Sequence, residues 1–263
     1  MDFGLQNKVA LVAAASEGLG KASALALAKE GAAVAVCSRR EQEIRAAAAE
    51  IHSATGSTVH PFVCDVSNAS DIKRWVDDAA QKFGTIHILV NNAGGPPTGS
   101  ISSLTDEQWE AGFELTMMSV VRLTRAVLPL MEQQRWGRVI TIASFVAKEP
   151  LNELLLSSSI RPGILGMTKA LSSQYASKGI TVNTVCPGYI LTKRQDELLR
   201  SRAAQQNVSK EEYLREQARL IPAGRLGRPE EIGSVVAFLA SEHAGYISGV
   251  NVMVDGGLAK AIH

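Results

Sequence analysis

The chain has 263 residues, 46% hydrophobic and 20% charged, enough apolar material for one large α/β domain or two small ones. Lys and Arg number 27 against 26 Asp and Glu, and a net charge of +1 argues against nucleic acid or anionic lipid as partner. The longest apolar runs, such as Val9 to Ala15, fall far short of the roughly 18–20 residues that cross a bilayer.

The elements alternate from the start. Val9-Ala10-Leu11-Val12 reads as a strand, and Ala13-Ala14-Ala15-Ser16-Glu17-Gly18-Leu19-Gly20 as a glycine turn opening an amphipathic helix through Lys21 to Glu30. A second strand, Ala33 to Val36, ends in Cys37-Ser38-Arg39-Arg40. Thr58 to Val63 forms a third, followed by Cys64-Asp65-Val66 and a helix over Asp71 to Lys82. The fourth, Ile86 to Val90, runs into Asn91-Asn92-Ala93-Gly94, and Thr105 with Gln108 has capping-box spacing for the next helix. Arg138 to Ile142, Thr181 to Val185 and Val250 to Val254 supply three more strands. Most are apolar on both faces, as when helices cover both sides of a parallel sheet. The fold class is therefore α/β, a doubly wound parallel sheet of seven strands with helices on both faces.

The segment from Lys193 to Leu220 interrupts this alternation before the last strand. It is helical and heavily charged, with Ser209 and Glu212 at capping spacing, and reads either as a solvated hairpin or as a lid over a ligand crevice. No repeat or Pro/Gly linker divides the chain, so 1–263 reads as one domain with an insertion at 193–220. The start, Met1 to Lys8, lacks a basic region followed by an apolar core, so no secretory signal is expected. Cys37, Cys64 and Cys186 are far apart and without metal-ligand spacing, which points to reduced buried thiols and a cytoplasmic location.

A glycine turn opening a helix after the first strand brings backbone N–H groups and the helix dipole to a pyrophosphate, although two glycines there also serve ordinary strand–helix packing. At the end of the second strand, an acidic residue would accept from a free ribose 2′-hydroxyl. Ser38, Arg39 and Arg40 instead offer hydroxyl and guanidinium groups to a 2′-phosphate. NADP(H) is the expected cofactor, with NAD(H) as the alternative because Glu17 adds a negative charge inside the loop; the plain reading of Arg39-Arg40 is a solvated pair.

Taken together, the glycine turn, Cys64-Asp65-Val66, Asn91-Asn92-Ala93-Gly94, Val182-Asn183-Thr184-Val185-Cys186-Pro187-Gly188-Tyr189-Ile190, Gly227-Arg228-Pro229-Glu230-Glu231-Ile232 and Asp255-Gly256-Gly257 resemble the short-chain dehydrogenase/reductases. The resemblance covers almost the whole chain and is nearest to the 3-oxoacyl-acyl-carrier-protein reductase-like branch. It implies a Rossmann-like fold. It also implies a cofactor cleft formed by Ser16, Glu17, Gly18, Leu19 and Gly20 at the phosphates, Asp65 and Val66 at the adenine, and Asn91, Ala93 and Gly94 along the cleft. Pro187, Gly188, Ile190 and Thr192 would hold the nicotinamide carboxamide. It further implies a small-molecule substrate and a homotetramer or homodimer built on the helices after strands four and five, where Val120, Val121, Leu123 and Val127 offer an apolar face unless core packing claims them.

The family's catalytic set is a Ser, a Tyr and a Lys with an Asn behind them. Ser144 matches the serine. Counting back from Gly163-Ile164-Leu165-Gly166 places Ser157 and Arg161 at the Tyr and Lys positions, and counting forward from Trp109 places Thr116 at the Asn position. Ala13 and Ala14 stand where the family usually has Thr and Gly. Arg161 keeps a charge that can hold ribose hydroxyls, but it does not titrate, so ribose binding would survive without the proton relay. Pro162 is welcome in a first helical turn and costly further in, so regular helix is expected to begin close to Arg161, with Ser157-Ser158-Ser159 as cap candidates.

Tyr189 is the most plausible substitute proton donor, although a phenol packed against the lid is the plainer reading; Tyr175 falls at the far end of its helix. Lys148, Glu149 and Glu153 sit where the family lines its substrate pocket. Two functions are carried forward. One is an NADP-dependent oxidoreductase acting on a carbonyl or alcohol through an atypical Ser/Ser/Arg site. The other is a dinucleotide-binding pseudoenzyme, a sensor or oligomeric partner.

Overall fold

The structure, a computed structural model, describes residues 1–260. Seven strands alternate with helices: β1 (Val9–Val12), α1 (Gly18–Lys29), β2 (Ala33–Ser38), α2 (Glu41–Thr55), β3 (Val59–Val63), α3 (Ala69–Phe83) and β4 (Ile88–Asn91) form the first half. After it come α4 (Asp106–Phe113), α5 (Ser119–Gln134), β5 (Gly137–Ile142), α6 (Leu155–Tyr175) and β6 (Ile180–Pro187). The chain continues through α7 (Lys193–Gln205), α8 (Lys210–Arg219), α9 (Pro229–Ala240) and β7 (Asn251–Val254). All strands pair in parallel in the order β3-β2-β1-β4-β5-β6-β7. The seven strands and the doubly wound sheet match the expectation from sequence.

The winding reverses between β1 and β4, where the loops leaving their C-terminal ends part to opposite faces and open a crevice. Each face has its own core. Leu27, Ile44, Ile51, Ile232 and Val236 from α1, α2 and α9 cover one; Trp75, Leu123, Val127 and Met131 from α3 and α5 cover the other. Pro61 sits in β3, the edge strand, where the missing donor disrupts the fewest ladder bonds.

Local rules hold at several helix starts. Thr105 and Gln108 exchange both bonds of a capping box, and Pro229 occupies the first turn of α9. Ser209 accepts from the Glu212 N–H at 3.1 Å. The expectation for α6 fails. It begins at Leu155, six residues before Arg161, and carries Pro162 in its interior; its N-cap is Leu154, and none of Ser157, Ser158 or Ser159 caps it. An interior proline costs about 3 kcal/mol. Against that, Leu156 and Ile160 are buried with Leu104, Trp109 and Met117, and burial of such side chains contributes roughly 1.5–3 kcal/mol each. The Ser158 hydroxyl also bonds both the N–H and the carbonyl of Leu151, tying down the entering chain. Packing outweighs the local signal.

A second correction concerns the apolar face proposed for oligomerisation. Val120, Leu123 and Val127 are buried within the protomer, and Leu123 and Val127 belong to its core, so none of the three is available to a partner. The charged segment before the last strand forms two helices with a small core of their own, Leu199, Ala203, Tyr213, Ile221 and Leu226, on which Tyr189 packs. The three cysteines are free and buried. Among the described residues no helix is long and apolar enough to cross a membrane.

Candidate active site

The site lies at the C-terminal edge of the sheet. Beyond β1 the chain turns sharply: Ala14 has φ +47° and Gly18 φ +59°. Glycine suits the second; at Ala14 a side chain in the left-handed region costs about 1–2 kcal/mol. Asn92, after β4, fixes the turn by donating its amide to the carbonyls of Ala13 (3.3 Å) and Ala14 (3.2 Å). A side-chain carbon at Gly20 would lie 2.4 Å from the Ala14 oxygen, so only glycine lets α1 approach. Glu17 precedes α1 in extended conformation without capping it by its side chain. The first-turn N–H groups of Gly18, Leu19 and Gly20, next to Ser16, thus remain free for an anion.

At the end of β2 the two arginines separate. Arg40 pairs with Glu17 (3.4 Å) and Glu43 (3.3 Å), whereas Arg39 is exposed and has no ion-pair partner among the described residues. The charge of Glu17 is thus offset by Arg40 through an exposed pair of the kind worth about 0–1 kcal/mol. Ser38 donates to the Arg40 carbonyl at 3.2 Å. Asp65 accepts from the N–H and hydroxyl of Ser67, and its own N–H donates to Asp71, whose carboxyl this bond and then Arg74 hold below the usual range. Val66 is buried in the core beside it.

Asn91 ends β4, donating to Thr124 and Thr141 at 3.2 Å each. Among the described residues its Oδ1 has no hydrogen-bond partner, nor have Thr116 Oγ1 and Arg161 Nε, and all three atoms are buried. Their residues line, with Asn92, Ala93, Val120, Ile142 and Ile164, one cavity of about 10 Å³. That is room for a single water. Thr116 reaches it from a π-helical turn, Glu114–Met118, between α4 and α5. Such turns are frequent at functional sites, and nothing in the sequence pattern announces this one.

Ser144 follows β5 and accepts from the Val146 N–H at 3.3 Å. Ser157 lies in the first turn of α6, and Arg161 one turn later on the same face. Both are 9% exposed. The Arg161 guanidinium makes one long bond, Nη1 to the Ile142 carbonyl at 3.5 Å. Burial lowers its pKa to about 10, and Arg194 adds to the lowering while the Cys186 side chain opposes it. It is still a cation at neutral pH. The Cys186 thiol is raised to about 11, chiefly by burial.

Pro187 ends β6; Gly188 donates its N–H to the Val254 carbonyl at 3.0 Å, and Ile190 pairs with Gly227. Thr192 caps α7 and faces the glycine turn, its Cγ2 3.5 Å from where a Gly18 side chain would start. Tyr189 packs edge-on to Phe145 with ring centroids 5.5 Å apart, and burial raises its phenol further above the ordinary value. The packing reading of Tyr189 is the one the structure bears out. Glu149 accepts from the Lys260 N–H at 2.8 Å, and Tyr175 ends α6, far from Arg161. Arg194, in the first turn of α7, was missed from sequence. It donates from Nη1 to the Gly95 carbonyl at 3.1 Å, spanning the cleft beside Gly94. Its signal was readable: Lys193 and Arg194 open a helix whose dipole disfavours cations there.

The chain is similar to known proteins over almost its whole length. A family model described as Enoyl-(Acyl carrier protein) reductase matches residues 13–259. The chain is 38% identical over 254 residues to human Dehydrogenase/reductase SDR family member 4, covering 96% of this chain and 88% of that one. It is 33% identical to the 3-oxoacyl-[acyl-carrier-protein] reductase FabG of Thermotoga maritima, covering 97% and 98%. Among solved structures it resembles L-sorbose reductase from Gluconobacter frateurii, complexed with NADPH and L-sorbose, at 32% identity with a TM-score of 0.96 and full coverage of both chains. Fold, cleft and matched motifs together make this chain a member of the short-chain dehydrogenase/reductase family.

Proposed function

We propose that the chain is an NADP-dependent oxidoreductase acting on the carbonyl or alcohol of a small molecule through an atypical site. The observation that carries the reading is Arg161: a buried cation with no acidic partner among the described residues, lining with Asn91, Asn92 and Ala93 the small cavity beyond β4. A guanidinium so placed costs stability unless a ligand uses it. The sorbose reductase structure is a complex with NADPH, and so is a structure of an actinorhodin polyketide ketoreductase 34% identical to this chain.

The residues present fit such a cofactor. The open N–H groups from Gly18 to Gly20 suit a diphosphate, and Ser38 with Arg40 and with Arg39, unpaired among the described residues, suits a 2′-phosphate. Asp65 and Val66 stand at the adenine end. Asn91, Ala93 and Gly94, with Pro187, Gly188, Ile190 and Thr192, border the nicotinamide end, and Arg161 takes the ribose hydroxyls. When bound, the cofactor exchanges hydride with a carbonyl carbon. Ser144 then donates a hydrogen bond to the substrate oxygen, where charge develops.

Ser157 stands at the family's tyrosine position and Arg161 at its lysine position, with Thr116 at its asparagine. A serine hydroxyl is a far weaker acid than a phenol and sits nearer the backbone, and a guanidinium with a pKa of about 10 is no general base at neutral pH. The proton therefore comes from solvent water, and turnover is slower by the 10² to 10⁴ that a general acid/base typically contributes. In this reading α7 and α8 cover the cleft as a lid on a single domain, the protein is cytoplasmic, and copies assemble as a dimer or tetramer. A second reading, a nucleotide sensor without turnover, is favoured by one observation. Arg161, Cys186 and Tyr189 all keep their protons at neutral pH, Arg161 although burial lowers it to about 10, Cys186 and Tyr189 because burial raises them.

Single-turnover assays with NADPH on a carbonyl panel decide between them, using the wild type and a Ser157→Tyr/Arg161→Lys variant. Slow reduction by the wild type and faster reduction by the variant is the expected result. Tight NADPH binding with zero wild-type turnover would favour the sensor. Failure to bind NADPH or NADH would overturn both.

A further inference from the structure

Three buried polar atoms from three different elements meet at one small cavity. Asn91 comes from the end of β4, Thr116 from the π-helical turn and Arg161 from α6. Their Oδ1, Oγ1 and Nε atoms have no hydrogen-bond partner among the described residues, and all three residues line the cavity of about 10 Å³. A buried polar group left so carries the full cost of its desolvation.

Each of the three is left open by what its neighbours do. The Asn91 amide donates to Thr124 and to Thr141, so only its oxygen remains to be satisfied. A hydroxyl inside a helix ordinarily bonds back to a carbonyl one turn earlier, as Ser119 does to Leu115 at 2.6 Å. Thr116, in the π-helical turn, makes no such bond. Arg161 is tethered only at Nη1, by the long bond to the Ile142 carbonyl, and its Nε has no hold.

The chemistry of these atoms selects the occupant. Arg161 Nε–H only donates, Asn91 Oδ1 only accepts, and the Thr116 hydroxyl does either. A cation would be repelled by the guanidinium, and an anion would meet the Asn91 oxygen. Water accepts from the one and donates to the other. A cavity of about 10 Å³ takes one molecule, and buried waters typically make about three hydrogen bonds.

We propose that Asn91 and Thr116 hold Arg161 through a single captive water, which accepts from Arg161 Nε–H, donates to Asn91 Oδ1 and has Thr116 Oγ1 as its third partner. Both are positioning residues for the guanidinium. Because that group is planar and rigid, fixing Nε fixes the direction of its terminal nitrogens. The positioning role rests on the proposed function, in which Arg161 takes the ribose hydroxyls; the water itself does not.

Thr116→Val, nearly the same in shape, tells a hydrated cavity from a dry one by the sign of its effect. If the water is held, the valine deletes one of its bonds and the urea midpoint falls. If the cavity is dry, the valine removes an unsatisfied hydroxyl and the midpoint rises. A fall is expected, and a high-resolution crystal structure of the wild type should show one water within hydrogen-bond distance of all three atoms. A rise, no change, or a cavity without that water would overturn the proposal. NADPH titrations read the positioning role as a double-mutant cycle. Thr116→Val should weaken binding by about threefold to tenfold, the size of one hydrogen bond, and Thr116→Ser, which keeps the oxygen, by less than about twofold. In an Arg161→Met background the valine should change affinity by less than about twofold; equal losses in both backgrounds would overturn the role. Should NADPH not bind the wild type, the proposed function fails, and the urea and crystal measurements still decide the water.

Discussion

Among the described residues two arginines are buried, at opposite edges of the sheet. Arg138, near the start of β5, donates from Nε to the Ser241 carbonyl (3.2 Å) and from Nη1 to those of Gly137 (2.9 Å) and Gly179 (3.4 Å). It lies 4.2 Å over the Trp136 ring, and Glu242 supports its charge. Arg161, at the C-terminal edge, has one bond of 3.5 Å and, among the described residues, an unpartnered Nε. Burial lowers both to about 10. The pKa does not tell them apart; the partners do. One cation is spent on holding strand to helix, and the other keeps its donors for something that arrives.

The largest effect expected from this contrast is at Arg138. Arg138→Met removes the donor to three carbonyls at a buried site, and urea unfolding should register a loss of about 2–4 kcal/mol. A loss below about 1 kcal/mol would mean that those bonds do not hold the edge together.

A smaller effect sharpens the same edge through pH. His87 accepts the Val9 N–H at Nδ1 (3.0 Å) and stacks edge-on with Trp136 at 5.8 Å. Burial, and then Lys8, lowers its pKa to about 4 from 6.5. Above pH 6.5 the ring is neutral in both folded and unfolded chains and costs nothing. Between 6.5 and 4 the unfolded chain takes up a proton that the folded one refuses, so stability falls as pH falls through that window. In His87→Gln the decline over this range should flatten; an unchanged slope would assign it to other groups.

The sequence and the structure agree where the signal is periodic or conformational. Seven β-branched runs, the capping box at Thr105 and the glycine turn at Gly18 to Gly20 all stand where their residues imply, because strand burial, cap geometry and positive φ are local demands. They diverge where distant residues decide. Pro162 reads as a first-turn residue of a helix beginning close to Arg161, yet α6 begins at Leu155, because Leu156 and Ile160 find partners on the segment from Leu104 to Met117 that no local rule could supply. Arg39 and Arg40 are equivalent as neighbours in sequence, and the pairing of Arg40 with Glu17 and Glu43 separates them. Thr116 gains its place from a π-helical turn, and the apolar row at Val120, Leu123 and Val127 turned inward to the core.

The most direct test is Arg161→Met, measured for stability and for NADPH affinity in the same preparation. Replacing an unsatisfied buried cation by an apolar side chain should leave the protein as stable or up to about 3 kcal/mol more so. NADPH affinity should fall by about tenfold or more, the loss of one charge-assisted hydrogen bond. A variant that is less stable and binds NADPH as tightly as the wild type would show that Arg161 is structural, as Arg138 is, and would contradict the account.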